Sequence, residues 1–276
     1  MKSKLITVLA VSLIFTACNT AQAPKENTKT QKTAYEAPVG EHMMQSVLWQ
    51  ELSAEHRALC YQAFNTAKLR LDLILSKKIH RTKPLAIVTD IDESILDNSP
   101  FNGKLIQENR DYSGKEWSEW VKLEKATPIP GAVEFLQYAK KRGVEVFYIT
   151  NRNVKLQKET MANLSRFGFP YIDDSHFLLK ENTSSKKSRR MKVRETHDVV
   201  MLIGDNLADF THLFDNESTQ SRNRIVDSIR NEFGSKFIVL PNPMYGDWET
   251  KGLYEGNYHW TQQQKDSIRH ARLISY

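Results

Sequence analysis

Apolar residues in this chain follow two rhythms. Short, mainly apolar runs occur at Pro84-Leu85-Ala86-Ile87-Val88-Thr89, Val144-Glu145-Val146-Phe147-Tyr148-Ile149, Phe177-Leu178-Leu179, Val199-Val200-Met201-Leu202-Ile203 and Phe237-Ile238-Val239-Leu240. Runs this short and rich in β-branched residues predict strands buried on both faces of a parallel sheet. Between them apolar positions recur at helical spacing. His42 to Ile79 predicts one or two helices with Leu59, Ala63, Ala67, Leu71 and Ile74 on the stripe. Gly131 to Lys141 and Lys155 to Phe167 predict helices, and a long helical stretch is expected between the last two strands. Strands alternating with helices imply right-handed crossovers. The expected fold class is α/β, a doubly wound parallel sheet with a smaller, mainly helical accessory region.

The ends of the chain add a destination. Met1-Lys2-Ser3-Lys4 is basic, and Leu5 to Phe15 is apolar but too short for a permanent bilayer span. Thr16-Ala17-Cys18 then reads as a lipoprotein cleavage site, with residues 1–17 removed and Cys18 lipidated. Asn19 after it favours the outer membrane in a diderm bacterium. Residues 18–40 are rich in Lys, Thr, Gln, Ala and Pro and predict a flexible tether. A single domain is expected over 41–276, its core at about 83–245. Once Cys18 is lipidated only Cys60 remains, so no internal disulfide is expected, and its place in a helical pattern predicts core filler.

The formal net charge is +6, partly from the signal and tether. The densest basic run, Lys186 to Arg194, reads by itself as a solvated helix face, and no nucleic acid is expected as a partner. A Gly-x-x-x-x-Gly-Lys phosphate loop is absent.

Chemistry gathers where the strands end. The first strand runs into Asp90-Ile91-Asp92, and the Val199 strand into Gly204-Asp205-Asn206 with Asp209 beyond. Ligands of parallel sheets bind at carboxyl ends of strands. Four carboxylates there would repel one another without a cation, and oxygen-only ligation favours Mg²⁺. Asp90 directly ends its strand and is the candidate nucleophile for an aspartyl-phosphate. Asp92, two residues on in extended chain, is the candidate proton donor and acceptor. Thr150 closes the Val144 strand and could hold a phosphoryl oxygen, and a lysine of the basic run could neutralise transition-state charge. Taken singly, Asp-x-Asp, Thr-Asn and Gly-Asp-Asn are ordinary turn or cap sequences. Together, in this order, they point to phosphate chemistry.

The set resembles the haloacid dehalogenase superfamily, in its branch of phosphatases with four aspartates. Asp90-Ile91-Asp92-Glu93-Ser94-Ile95-Leu96-Asp97-Asn98-Ser99-Pro100 is similar to the first motif of the class C acid phosphatases, the bacterial lipoprotein e family, with Ser94 in place of the usual Thr. Ile149-Thr150-Asn151-Arg152 resembles the second motif. Ser185-Lys186-Lys187-Ser188-Arg189-Arg190 resembles the third, in a register that makes Lys186 the phosphate-binding lysine. Gly204 to Phe210 resembles the fourth, and Pro241 to Glu249 a segment near the family's carboxyl end. The resemblance implies one Mg²⁺ per chain held by Asp90, Asp205 and the backbone carbonyl of Asp92, whose carboxyl stays free for proton transfer. Asp209 would bind through water or steady the site, and Asp97 would organise the loop.

Trp117 and Trp120 share a helix face, so at least one is expected to pack on the core. Trp117 and Tyr245 match positions where nucleotide-hydrolysing members stack a base, with Asn151 also at the substrate. Before the first strand only His80 could add to that clamp. The implied function is a lipid-anchored phosphomonoesterase acting on small phosphate monoesters, nucleoside 5′-monophosphates among them. A phosphorylated receiver domain splits its aspartates between strands and is disfavoured. The other alternative is a catalytically inactive surface-binding lipoprotein on the same fold.

Overall fold

The computed structural model describes residues 38–77 and 80–276. The expected signal, Cys18 and most of the tether lie outside the described residues. The folded body includes Val39 and Gly40, just ahead of the expected boundary: Val39 N donates to Asn109 Oδ1 at 2.8 Å, and Gly40 is buried.

Two helices open the body, α1 (Met44–Leu52) and α2 (Ala54–Ser76). Ser53 caps α2 by accepting from His56 N at 3.0 Å. The inward stripe of α2 is His56, Cys60, Phe64, Ala67 and Leu71; Ala67 and Leu71 were predicted, Ala63 and Ile74 pack at its edge, and Leu59 is 42% exposed. The reason is close packing: small Cys60 and Ala67 let α2 approach the helix that starts after Gly131. A Cβ on Gly131 would lie 3.2 Å from both Phe64 and Tyr61. Cys60 is core filler, as predicted.

β1 (Leu85–Thr89) is followed by an excursion of β2 (Leu96–Asp97), α3 (Ser99–Gln107), α4 (Gly114–Lys122) and β3 (Thr127–Pro128), with β2 antiparallel to β3. This is the accessory region. The chain returns through α5 (Ala132–Lys141) to β4 (Glu145–Asn153), α6 (Gln157–Arg166), β5 (Phe177–Lys180), α7 (Lys187–Thr196) and β6 (Asp198–Gly204). It closes with α8 (Thr219–Ser228), β7 (Phe237–Val239) and α9 (Gln262–Arg272). The sheet order is β5-β4-β1-β6-β7, with every pair parallel. Central β1 is buried throughout: Leu85 and Ile87 join one core cluster, Ala86 and Val88 the other, on opposite faces. Among the described residues no helix is long and apolar enough to cross a membrane.

Two details depart from the predicted elements. In β6 the pairing with β1 steps from Ala86↔Val199 to Ile87↔Met201, so Val200 is a bulge. The expected long helical stretch is broken into turns at Leu207–Asp209 and His212–Phe214, then α8, then a turn at Arg230–Glu232. Asn206, Thr211 and Ser218 each bond their own side chain to a nearby backbone N–H, restarting the chain direction.

Candidate active site

The carboxyl ends of β1, β4 and β6 converge, and the loop after β1 is folded tightly. Asp90 N donates to Ile203 O at 2.9 Å, which sets Asp90 beside β6. The chain then turns at Glu93, a buried residue with φ 55. Such a conformation costs on the order of 1–3 kcal/mol in a non-glycine residue. It is held by Glu93 N to Leu96 O at 2.8 Å and by Asn98 N donating to Glu93 Oε1 at 2.8 Å. Asp97 organises the next turn, accepting from Gln50 Nε2 at 2.7 Å and Ser99 N at 2.9 Å.

Asp90, Asp205 and Asp209 each bring a carboxylate oxygen within 4.8 Å of the other two. Lys186, immediately before α7 and buried, faces them, its Nζ 2.6 Å from Asp90 Oδ1 and from Asp209 Oδ1. Only the contact with Asp209 is aligned as a hydrogen bond, which leaves Asp90 Oδ1 buried without a hydrogen-bond partner. Burial, opposed by Lys186 and reinforced by Asp209, Asp205 and Asp92, pushes the Asp90 carboxyl well above the usual range. Burial first, and the charge of Asp209 second, push Asp205 up to about 7. Burial works against the charge on Lys186, but Asp209 and Asp90 outweigh it and raise its pKa. One ammonium does not balance three carboxylates gathered within 4.8 Å of one another, and an added cation would complete the balance. The all-oxygen donor set fits a hard divalent metal. Asp209 Oδ1 accepts from Lys186 and Oδ2 from Asn206 N at 3.0 Å, so both oxygens are engaged.

Neighbours orient this cluster that residue patterns did not reveal. Ser94 Oγ donates to Asp205 Oδ1 at 2.9 Å and accepts from Asp205 N at 3.1 Å, so the serine hydroxyl bridges the first and fourth motifs. Asn242 Nδ2 donates to Asp205 Oδ2 at 2.8 Å. The basic run is not wholly a solvated face: buried Arg190 donates to the carbonyls of Ala208 and Asp209 at 2.7 and 3.0 Å. Arg189 reaches the carbonyl of Thr150 and Asn151 Oδ1, the latter at 2.7 Å.

β4 continues through Thr150 to Asn153 instead of ending at Thr150. Thr150 is buried, its Oγ1 accepting from Arg152 N at 3.1 Å, while Asn151 is exposed. Alternation then sends Arg152 inward, 1% exposed. Its Nη2 and Nε lie 2.7 and 3.0 Å from Asp92 Oδ1. Asn98 Nδ2 donates to the same oxygen at 3.0 Å. The Asp92 carboxyl stands outside the Asp90–Asp205–Asp209 cluster and is held by Arg152 and Asn98. Carrying β4 two residues further in the sequence would have found Arg152 beside Thr150.

Of the aromatics, Trp120 packs on the core and donates from Nε1 to Asn98 Oδ1 at 2.8 Å. Trp117 is half-buried, edge-on to Phe101 at 5.2 Å, with the Arg152 guanidinium 5.8 Å from its ring. Tyr245 is half-buried on the loop after β7, its N–H directed at Asn242 Oδ1 at 3.5 Å. Asn102 of α3 donates to Met244 Sδ at 3.7 Å, which joins the two walls. His80 is not near them. It precedes β1, so the length of that strand separates it from Asp90. There it lines a cavity of about 490 Å³ with Arg81, Lys83, Arg194, His197 and Lys236. His80 cannot complete a clamp in this chain's own site, because a parallel sheet puts its two ends apart.

A parallel sheet in this order, carrying an Asp-x-Asp loop, a strand-borne Thr, a buried Lys and a second acidic turn, is the architecture of haloacid dehalogenase-type phosphatases. The chain belongs to the HAD superfamily, subfamily IIIB (acid phosphatase), whose family model matches residues 2–248. A class C acid phosphatase from Bacillus anthracis, solved with tungstate bound, superposes with a TM-score of 0.83 at 40% identity, covering 87% of this chain and 99% of that one. Acid phosphatase 1 of Solanum lycopersicum is 25% identical over 167 residues, 57% of either chain. The class B acid phosphatase of Morganella morganii is 28% identical over 138 residues, 46% of this chain and 57% of that one. The chain spans little more than half the length of the curated relatives it matches.

Proposed function

We propose that this protein is a Mg²⁺-dependent phosphomonoesterase acting on small organic phosphates, nucleoside 5′-monophosphates among them, through an aspartyl-phosphate on Asp90. The carrying observation is the convergence of Asp90, Asp205 and Asp209 within 4.8 Å of one another at the carboxyl ends of β1 and β6, with the buried Lys186 Nζ 2.6 Å from Asp90 Oδ1. The relative solved with tungstate, a tetrahedral oxyanion like phosphate, supports the same class of ligand.

In this reading Asp90 attacks phosphorus as the bond to the ester oxygen breaks, and Asp92 gives that oxygen its proton. Water, deprotonated by Asp92, then attacks the aspartyl-phosphate, releasing phosphate, freeing Asp90 as a carboxylate and returning the proton to Asp92. Lys186, Thr150 and the exposed Asn151 hold phosphoryl oxygens, and Lys186 offsets their developing charge. Mg²⁺ would be held by Asp90, Asp205 and the Asp92 carbonyl, with Asp209 steadying Lys186, and would supply further neutralisation of the phosphoryl group. Trp117 and Tyr245 would flank an aromatic leaving group. Residues 1–17 are read as a lipoprotein signal, Cys18 as the lipid anchor, 18–40 as the tether and 41–276 as the catalytic domain, which places the enzyme outside the cytoplasm, at the outer membrane of a diderm host.

The test is phosphate release from a panel of phosphate esters by the purified protein, with and without chelator. Release that stops on chelation and returns with Mg²⁺ is expected. Inactivity on every ester would leave the binding lipoprotein as the better reading.

A further inference from the structure

We propose that Arg152 is a positioning residue for proton transfer: it fixes the carboxyl group of Asp92, which carries the proton, so that the leaving-group oxygen meets that proton as the bond to phosphorus breaks. The inference rests on the phosphomonoesterase reading and adds a residue to which the motif resemblance gave no role.

The geometry is unusually complete for one side chain. Arg152 is 1% exposed, and Nη2 and Nε bond Asp92 Oδ1 at 2.7 and 3.0 Å, with Nε also 3.3 Å from Oδ2. Nη1 is directed at Thr160 Oγ1 on α6, 3.4 Å away. The Trp117 ring lies near the guanidinium at 5.8 Å. Burying a guanidinium is costly unless it is paired, so the pair is strongly held. Three elements therefore set the Asp92 carboxylate: β4 carries the arginine, α6 supplies Thr160 and α4 supplies Trp117. On the other side, Asn98 donates to Asp92 and is itself held by Trp120. A planar fork fixes the plane of the carboxylate as well as its place, which a lysine's single ammonium does not do.

The position matters most where the leaving oxygen needs a proton. An alkoxide is a poor leaving group and depends on transfer from Asp92 during phosphorus–oxygen cleavage. An aryl oxide leaves with little help. The experiment compares kcat/KM of the wild type and Arg152→Lys for glycerol 1-phosphate and p-nitrophenyl phosphate at saturating Mg²⁺, because kcat/KM reports the step that expels the leaving group. The expected result is a loss of about 10²-fold on the glycerol ester, at the low end for general acid catalysis, and under about 10-fold on the aryl ester. Adding Arg152→Lys to Asp92→Asn should cause no further loss, since the arginine acts through Asp92. Equal losses on the two esters, or a full further loss in the double variant, would assign Arg152 to structure alone. An unchanged ratio with unchanged rates would overturn the inference as well. A wild type inactive on both esters would refute the phosphomonoesterase reading itself, which is a distinguishable outcome. Arg152→Met, with thermal unfolding recorded beside the rates, serves if the lysine variant does not fold.

Discussion

Asp90 and Asp205 are carboxyls that the fold holds against their own ionisation, and this makes two predictions at the scale of single residues. Asp90→Asn should lower turnover by more than about 10³-fold, as loss of a nucleophile does, because an amide cannot attack phosphorus. The variant should stay folded, since the asparagine removes a buried like charge; circular dichroism and thermal unfolding check this. The second concerns pH. Burial and the charge of Asp209 push Asp205 up to about 7 in the folded protein, against about 3.9 for an unfolded Asp. Between those values the folded protein keeps a proton that the unfolded chain has released. The stability of the metal-free protein should therefore fall as pH rises from about 4 through 7. Saturating Mg²⁺ should flatten that slope by binding the ionised form. Thermal scans across this range, with and without Mg²⁺, would show it, and a metal-free protein that becomes more stable with rising pH would contradict the site. The aspartates were legible as a strand-end pattern. Ser94, Asn242 and Arg152 were not, because a hydrogen bond across 111, 37 or 60 residues leaves no local spacing to read.

At the scale of elements, β6 and the turn after it do the most to shape the site. Gly204 is its last residue, and a Cβ there would meet Asp209 Oδ2 at 2.4 Å. The turn Asn206–Asp209 must close back over the strand end to bring Asp209 to Lys186, and only a hydrogen fits between. Gly204→Ala should destabilise by about 1–3 kcal/mol, as overpacking does. Because Asp209 is what moves, phosphatase activity should fall more steeply than stability implies; denaturant melts and initial rates separate the two. A variant with wild-type rates would show that Asp209 has no part in holding Lys186. The strands themselves could be read from apolar runs, whereas the bulge at Val200 could not. A run apolar on both faces has no alternation whose break would betray an extra residue.

At the scale of the whole molecule, the walls of the substrate region come from distant parts of the chain, Trp117 on α4 and Tyr245 after β7. If Tyr245 stacks a base, Tyr245→Ala should weaken binding of nucleoside 5′-monophosphates by about 1–3 kcal/mol, roughly 5- to 150-fold in KM where KM reports binding. Glycerol phosphate, which has no ring, should be unaffected, and equal losses on both would mean that the tyrosine only holds its loop. The remaining prediction lies at the other end of the chain. Cys18→Ser should release processed protein from the membrane fraction, and an unlipidated soluble wild type would leave export without an anchor.

Order along the chain was enough to determine the succession of the five sheet strands, the gathering of Asp90 and Asp205 at strand ends, and the match of four motifs to a phosphatase family, whereas Thr150 lies inside its strand. These depend on local periodicity and on the rule that parallel strands expose the same end. Tertiary structure alone decided that α2 turns Leu59 outward, that the basic run folds Arg190 under the acidic turn, that His80 lies at the far end of the sheet, and that Arg152 grips Asp92. Each of these depends on which surfaces meet across the fold, and close packing settles that choice through small residues, buried charges that need partners, and a missing Cβ at Gly204.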